Sequence, residues 1–115
     1  MTQFIRSLAT SLFLALPVAA SAQDVPVLAV ISHPVEDYGV WRQIYDDFAD
    51  AQQAGGVIME QVYQDPADPN NVLVLHGFAS LGDAEEFLTS DKLKTAMAGA
   101  GVAAPPTVSV MARAD

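Results

Sequence analysis

The chain has 115 residues, no cysteine, and fourteen acidic against five basic residues, for a formal charge of −9. Such a surface repels nucleic-acid phosphates and anionic lipid headgroups, which argues against nucleic acid as a partner. Without cysteine there is no disulfide framework, so stability has to come from a dense apolar core or a partner subunit.

Residues 1–22 read as a cleavable secretory signal. Arg6 is a lone positive charge, Ser7 to Leu16 is an apolar stretch, Pro17 breaks it, and Ala20-Ser21-Ala22 offers a small-residue cleavage site. The apolar part, Leu8 to Leu16, is shorter than the roughly 20 residues that a membrane span requires. There is no twin arginine, and no cysteine for lipidation. The expected mature protein is one domain, residues 23–115. It is exported, to the periplasm or beyond, without stable membrane association after cleavage. Its four basic residues (Arg42, Lys92, Lys94, Arg113) against fourteen acidic ones leave a net charge of −10.

Val25 to Ser32 is an apolar run rich in β-branched residues and reads as a strand, with Pro34 ending it. From Tyr38 to about Ala54 the period becomes helical: Tyr38, Trp41, Tyr45 and Phe48 form one stripe, Asp37 is a suitable N-cap, and Gly55-Gly56 stops the helix. Val57 to Gln64 is a second strand, Asp65 to Asn71 a turn segment, and Val72 to Ala79 a third strand. Ser80 caps a second helix, which kinks and restarts at Ser90-Asp91 and ends at Gly99 and Gly101. Thr107 to Ala112 makes a fourth strand after Pro105-Pro106.

The order β-α-β-β-α-β, with right-handed crossovers, predicts an α+β ferredoxin-like fold: a four-stranded antiparallel sheet, spatial order 4-1-3-2, with both helices on one face. The first and third strands are apolar on both faces, so the uncovered face is an association site. The economical solution is a homodimer whose two sheets close on each other and enclose a cavity.

The run His33-Pro-Val-Glu-Asp-Tyr38-Gly-Val-Trp41 resembles the strand-to-helix junction of small dimeric α+β-barrel proteins akin to the antibiotic-biosynthesis monooxygenase superfamily. Val62-Tyr-Gln-Asp65 with Asp68-Pro-Asn70, and Phe87 to Ser90 with Leu93 to Met97 and Gly101-Val, fit the same group. The resemblance covers residues 27–111. It implies the dimeric barrel and a range of chemistries: cofactor-free monooxygenases of polycyclic phenols, quinol oxygenases, haem-degrading enzymes, and members with no known reaction. The haem-degrading branch uses a histidine on or just after the second helix as iron ligand. Residues 80–101 contain none, which sets this chain apart from that branch.

His33 ends the first strand beside the helix N-cap, where an imidazole could act as a general base or simply bond the turn at Pro34. His76 interrupts the third strand on the face of Val72, Val74 and Phe78, where it could contact a phenol or carboxylate ligand or bond a buried neighbour. About five residues of register, or roughly 16 Å, separate the two histidines, too far to share a metal. No metal or cofactor is expected. Tyr38 and Trp41 are core-stripe aromatics that could wall a ligand site near the barrel mouth. Tyr63, sharing a face with Val57 and Met59, is preferred over Glu60 as the cavity-facing residue of the second strand, with Phe78 as a further contact. Three readings follow: a cofactor-independent oxygenase-like enzyme acting on an aromatic or quinol-type compound, a non-catalytic binding protein for a small apolar or aromatic ligand, and a structural dimer.

Overall fold

Alternating burial along the first strand sets the architecture. In β1 (Val27–Pro34) Val27, Ala29, Ile31 and His33 are buried, while Leu28, Val30 and Ser32 are half-exposed. The computed structural model describes residues 24–115. The signal segment therefore lies outside the described residues.

After β1 the chain forms α1 (Tyr38–Asp47) and α2 (Ala49–Ala54). Asp37 caps α1, its carboxylate accepting from the Val40 amide at 3.1 Å. The expected single helix is two: Phe48 leaves helical geometry, and its amide shares the Ile44 and Tyr45 carbonyls before α2 begins. Gly56 then turns the chain in the left-handed region, at φ 100°, where a side chain would be strained.

β2 (Val57–Asp65) and β3 (Asp68–Phe78) form a hairpin tighter than the turn-rich composition suggests. Asp65 and Asp68 accept from the Ala67 and Asn70 amides at 2.8 and 3.1 Å, so the bend closes locally, with Asp65 paired to Asp68 beyond a register shift from the Gln64–Val72 pair. α3 (Leu81–Leu88) starts at Ser80, whose hydroxyl accepts from the Asp83 amide. α4 (Asp91–Gly99) restarts at Ser90, capped in the same way through Leu93. β4 (Thr107–Ala112) completes the fold.

The sheet order is β2-β3-β1-β4, antiparallel throughout, as the connectivity predicts. Register places Val27, Ala29, Ile31, Val72, Val74 and Phe78 on the helix-covered face, where Trp41, Ala84 and Phe87 pack on them. The opposite face carries Leu28, Val30, Leu73, Leu75, Met59, Tyr63 and Met111, and no helix among the described residues covers it. Among the described residues no helix is long and apolar enough to cross a membrane.

Candidate functional site

A cavity of about 90 Å³ lies between the covered face of the sheet and the helices, partly open to solvent. Its floor is Ile31, His33, Val74 and His76. α1 contributes Trp41, Ile44 and Tyr45, α2 contributes Gln52, and α3, α4 and β4 supply Leu88, Leu93, Met97 and Val108. The lining is mainly apolar, and its polar groups are few: two imidazoles, a phenol, an indole and an amide.

Ladder geometry puts both histidines there. Ala29 pairs with His76 and His33 pairs with Val72, so both imidazoles rise from the same face, four residues apart along the strands. That is about 13 Å at strand rise, slightly closer than the spacing expected from sequence and still too far to share one ion. Between them the rings form a continuous stack. His33 meets Trp41 edge-on at 5.7 Å, Trp41 stacks on Tyr45 at 4.8 Å, and Tyr45 lies 6.1 Å from His76.

The junction that carries His33 is held from β3. The Asn70 side chain accepts from the Tyr38 amide at 2.8 Å, and its carbonyl accepts from the Val35 amide at 2.7 Å. These two bonds lock the strand-to-helix corner and with it the placement of His33 against Trp41.

Tyr45 is the polar hub. Its hydroxyl donates to Glu60 Oε1 at 2.6 Å and lies 3.1 Å from His76 Nε2. Burial, reinforced by the Glu60 carboxylate, pushes the Tyr45 phenol well above its usual range, so it stays protonated. Burial pulls His76 down to about 4 despite the opposing charge of Glu60, and the ring is neutral at pH 7. Burial also lowers His33, against the pull of the His33 and Pro34 carbonyls. Both imidazoles are over 95 % buried, and Nδ1 of each has no hydrogen-bond partner among the described residues. An unpartnered buried nitrogen costs about 1–3 kcal/mol.

Three of the six residues singled out from sequence, His33, His76 and Trp41, line this cavity. Phe78 is fully buried behind it, against His76 and Phe87. Tyr38 packs on the outer side of Trp41 at 5.8 Å and does not reach the cavity. Tyr63 lies on the opposite, open face, 53 % exposed, and it is Glu60 that faces the site. The inward turn of Glu60 has a local cause. A bulge at Ile58 breaks the alternation between Val57 and Met59, so Val57 points inward while Met59, Gln61 and Tyr63 point out. This cavity lies within one chain, between sheet and helices. Pattern reading left Tyr45 in the core stripe and Asn70 in the turn, and it did not single out Gln52.

No family model and no curated protein matches the chain by sequence. Solved structures match its fold, which is α+β and ferredoxin-like, as in the antibiotic biosynthesis monooxygenases. A Caulobacter crescentus protein described as an antibiotic biosynthesis monooxygenase superposes with a TM-score of 0.64 at 19 % identity, over 77 % of this chain and 90 % of its own. SnoaB, a cofactor-independent oxygenase from Streptomyces nogalater, does so with a TM-score of 0.64 at 9 % identity, over 77 % and 93 %. The ActVA-Orf6 monooxygenase of Streptomyces coelicolor, in complex with nanaomycin D, gives 0.60 at 17 %, over 79 % and 89 %. At these identities the shared property is the fold.

Proposed function

We propose that this protein is an exported binding protein for a small hydroxylated aromatic compound, held in the cavity between sheet and helices. On this reading the compound is handled in the manner of a cofactor-independent oxygenase. The observation that carries the proposal is the pair of buried imidazoles lining an apolar cavity, each with an Nδ1 that has no partner among the described residues. Buried polar groups in folded chains are rarely left without a partner, and a ligand in this cavity supplies one.

Size narrows the ligand. A cavity of about 150 Å³ accepts benzene, so about 90 Å³ takes one ring only after a modest opening. α4 is the wall that yields, because none of its residues is fully buried. Trp41 lines the space the compound enters, and neutral His76 accepts a hydrogen bond from its hydroxyl. A free imidazole this acidic is a weak base in the resting state. Proton transfer to it therefore depends on the phenolate formed beside it and on the negative end of the Tyr45–Glu60 pair.

The open sheet face supports a homodimer, closed sheet to sheet through Leu28, Val30, Leu73 and Leu75. In that arrangement the dimer interface and the ligand cavity lie on opposite faces of the sheet.

Trp41 is the only tryptophan and lines the cavity, so its emission reports occupancy directly. Titration with phenol and hydroquinone should change it saturably, with Kd tighter than about 1 mM. Oxygen uptake with the same compounds separates the two uses of the site: uptake above the buffer rate identifies an oxygenase, and binding without uptake a carrier. A flat fluorescence titration would overturn the ligand assignment.

A further inference from the structure

We infer that Glu60 and Tyr45 are positioning residues that hold His76 in its Nε2–H tautomer, and that the site thereby selects ligands carrying an O–H or N–H donor over the same compounds capped by methylation. The inference rests on the ligand reading above and deepens it.

The protons along one chain of atoms fix the tautomer. An ionised carboxylate can only accept, so the 2.6 Å contact between Tyr45 and Glu60 takes the phenolic proton. The phenolic oxygen is then left with lone pairs alone for His76. At 3.1 Å from that oxygen, Nε2 has to be the donor, and in a neutral imidazole the other nitrogen is then bare. That nitrogen, Nδ1, is the one with no partner in the fold. The unsatisfied atom of His76 is therefore an acceptor, and the group that satisfies it has to bring a hydrogen. A hydroxyl does so. A methyl ether presents only a lone pair to a lone pair and adds a methyl group in a confined cavity.

Glu60 is exposed although its partners are not, so this chain of bonds runs from solvent to the buried base. Exchange of Glu60 for glutamine lets the chain reverse. An amide N–H can donate to the phenolic oxygen, the phenolic proton can turn to Nε2, and Nδ1 then carries hydrogen. The same ring would present a donor to the cavity.

Two readouts on the purified protein test this. Nitrogen-15 spectra of the histidine rings report the tautomer, and parallel titrations with phenol and its methyl ether, anisole, report the selection. The parent should show Nε2–H with bare Nδ1 at His76 and should bind phenol about tenfold or more tighter than anisole. Glu60→Gln should populate Nδ1–H and bring that ratio close to one. Glu60→Asp, which restores a carboxylate, should recover part of it. Tyr45→Phe, which cuts the chain at its middle, should also lose the preference. An Nδ1–H tautomer in the parent would overturn the inference and leave binding in the cavity standing. So would a phenol preference unchanged in Glu60→Gln. If neither compound binds while His76 is Nε2–H, the ligand reading fails and the selection with it.

Discussion

Exchange of His76 for phenylalanine isolates the cost of the unpartnered nitrogen. Phenylalanine keeps the ring contacts with Phe87 and Phe78, at 5.8 and 6.4 Å, and the adjoining cavity has room for the larger ring. The exchange removes a buried nitrogen without partner, a gain of about 1–3 kcal/mol, and loses the bond to Tyr45, worth about 0.5–1.5 kcal/mol. Tyr45 keeps its stronger bond to Glu60. Net stabilisation of about 1 kcal/mol is expected, raising Tm by roughly 4–8 °C per kcal/mol in a domain this small, while phenol binding is lost. The pH dependence adds a second reading. His76 binds its proton near pH 4 when folded, against an ordinary value of 6.5 when unfolded. Between those values the unfolded chain holds more protons, so acidification favours unfolding. The stability is complete above about pH 6.5 and is lost as pH falls towards 4, by roughly 3 kcal/mol in total. The stability gap between variant and parent should widen over that window, with carboxylate and His33 effects common to both chains. Thermal and urea unfolding from pH 7.5 to 4 measure it. A variant destabilised by more than about 1 kcal/mol at pH 7, or a gap independent of pH, would refute the reasoning.

Three further outcomes are expected. Gly55→Ala drives a Cβ into the Phe87 ring and to 3.1 Å from the Ala51 carbonyl, so urea unfolding should show a loss of about 1–3 kcal/mol. Leu75→Glu puts a charge in the middle of the open face, and light scattering should show the parent as a dimer and the variant as a monomer with the same circular dichroism. Intact-mass measurement of protein exported by a bacterial host should give a chain beginning at Gln23, and retention of residues 1–22 would contradict the signal assignment.

Strand and helix order, and hence the sheet order, were legible because hydrophobic period changes cleanly at Tyr38, Val57, Ser80 and Thr107. His33 and His76 stood out as polar residues in apolar runs, and strict alternation on β1 and β3 puts them on one face. β2 defeated the same logic. Ile58 is as apolar as its neighbours, so nothing in its identity marks the bulge, yet that one extra residue exchanges the faces of Tyr63 and Glu60. Tyr45 was hidden for another reason. A tyrosine at core spacing on a helix looks like packing, and its role appears only once Glu60 and His76 come within hydrogen-bonding distance across two other elements. Asn70, in a turn-rich segment, gave no sign that it clasps a corner 32 residues earlier in the chain.

The central claim is that a small hydroxylated ring binds between the sheet and the helices against His76. Intermolecular nuclear Overhauser contacts from bound phenol to the isotope-labelled protein test it most directly. Contacts to Trp41, Val74 and His76 are predicted. Contacts confined to Leu75, Tyr63 and Met111 on the opposite face would contradict it.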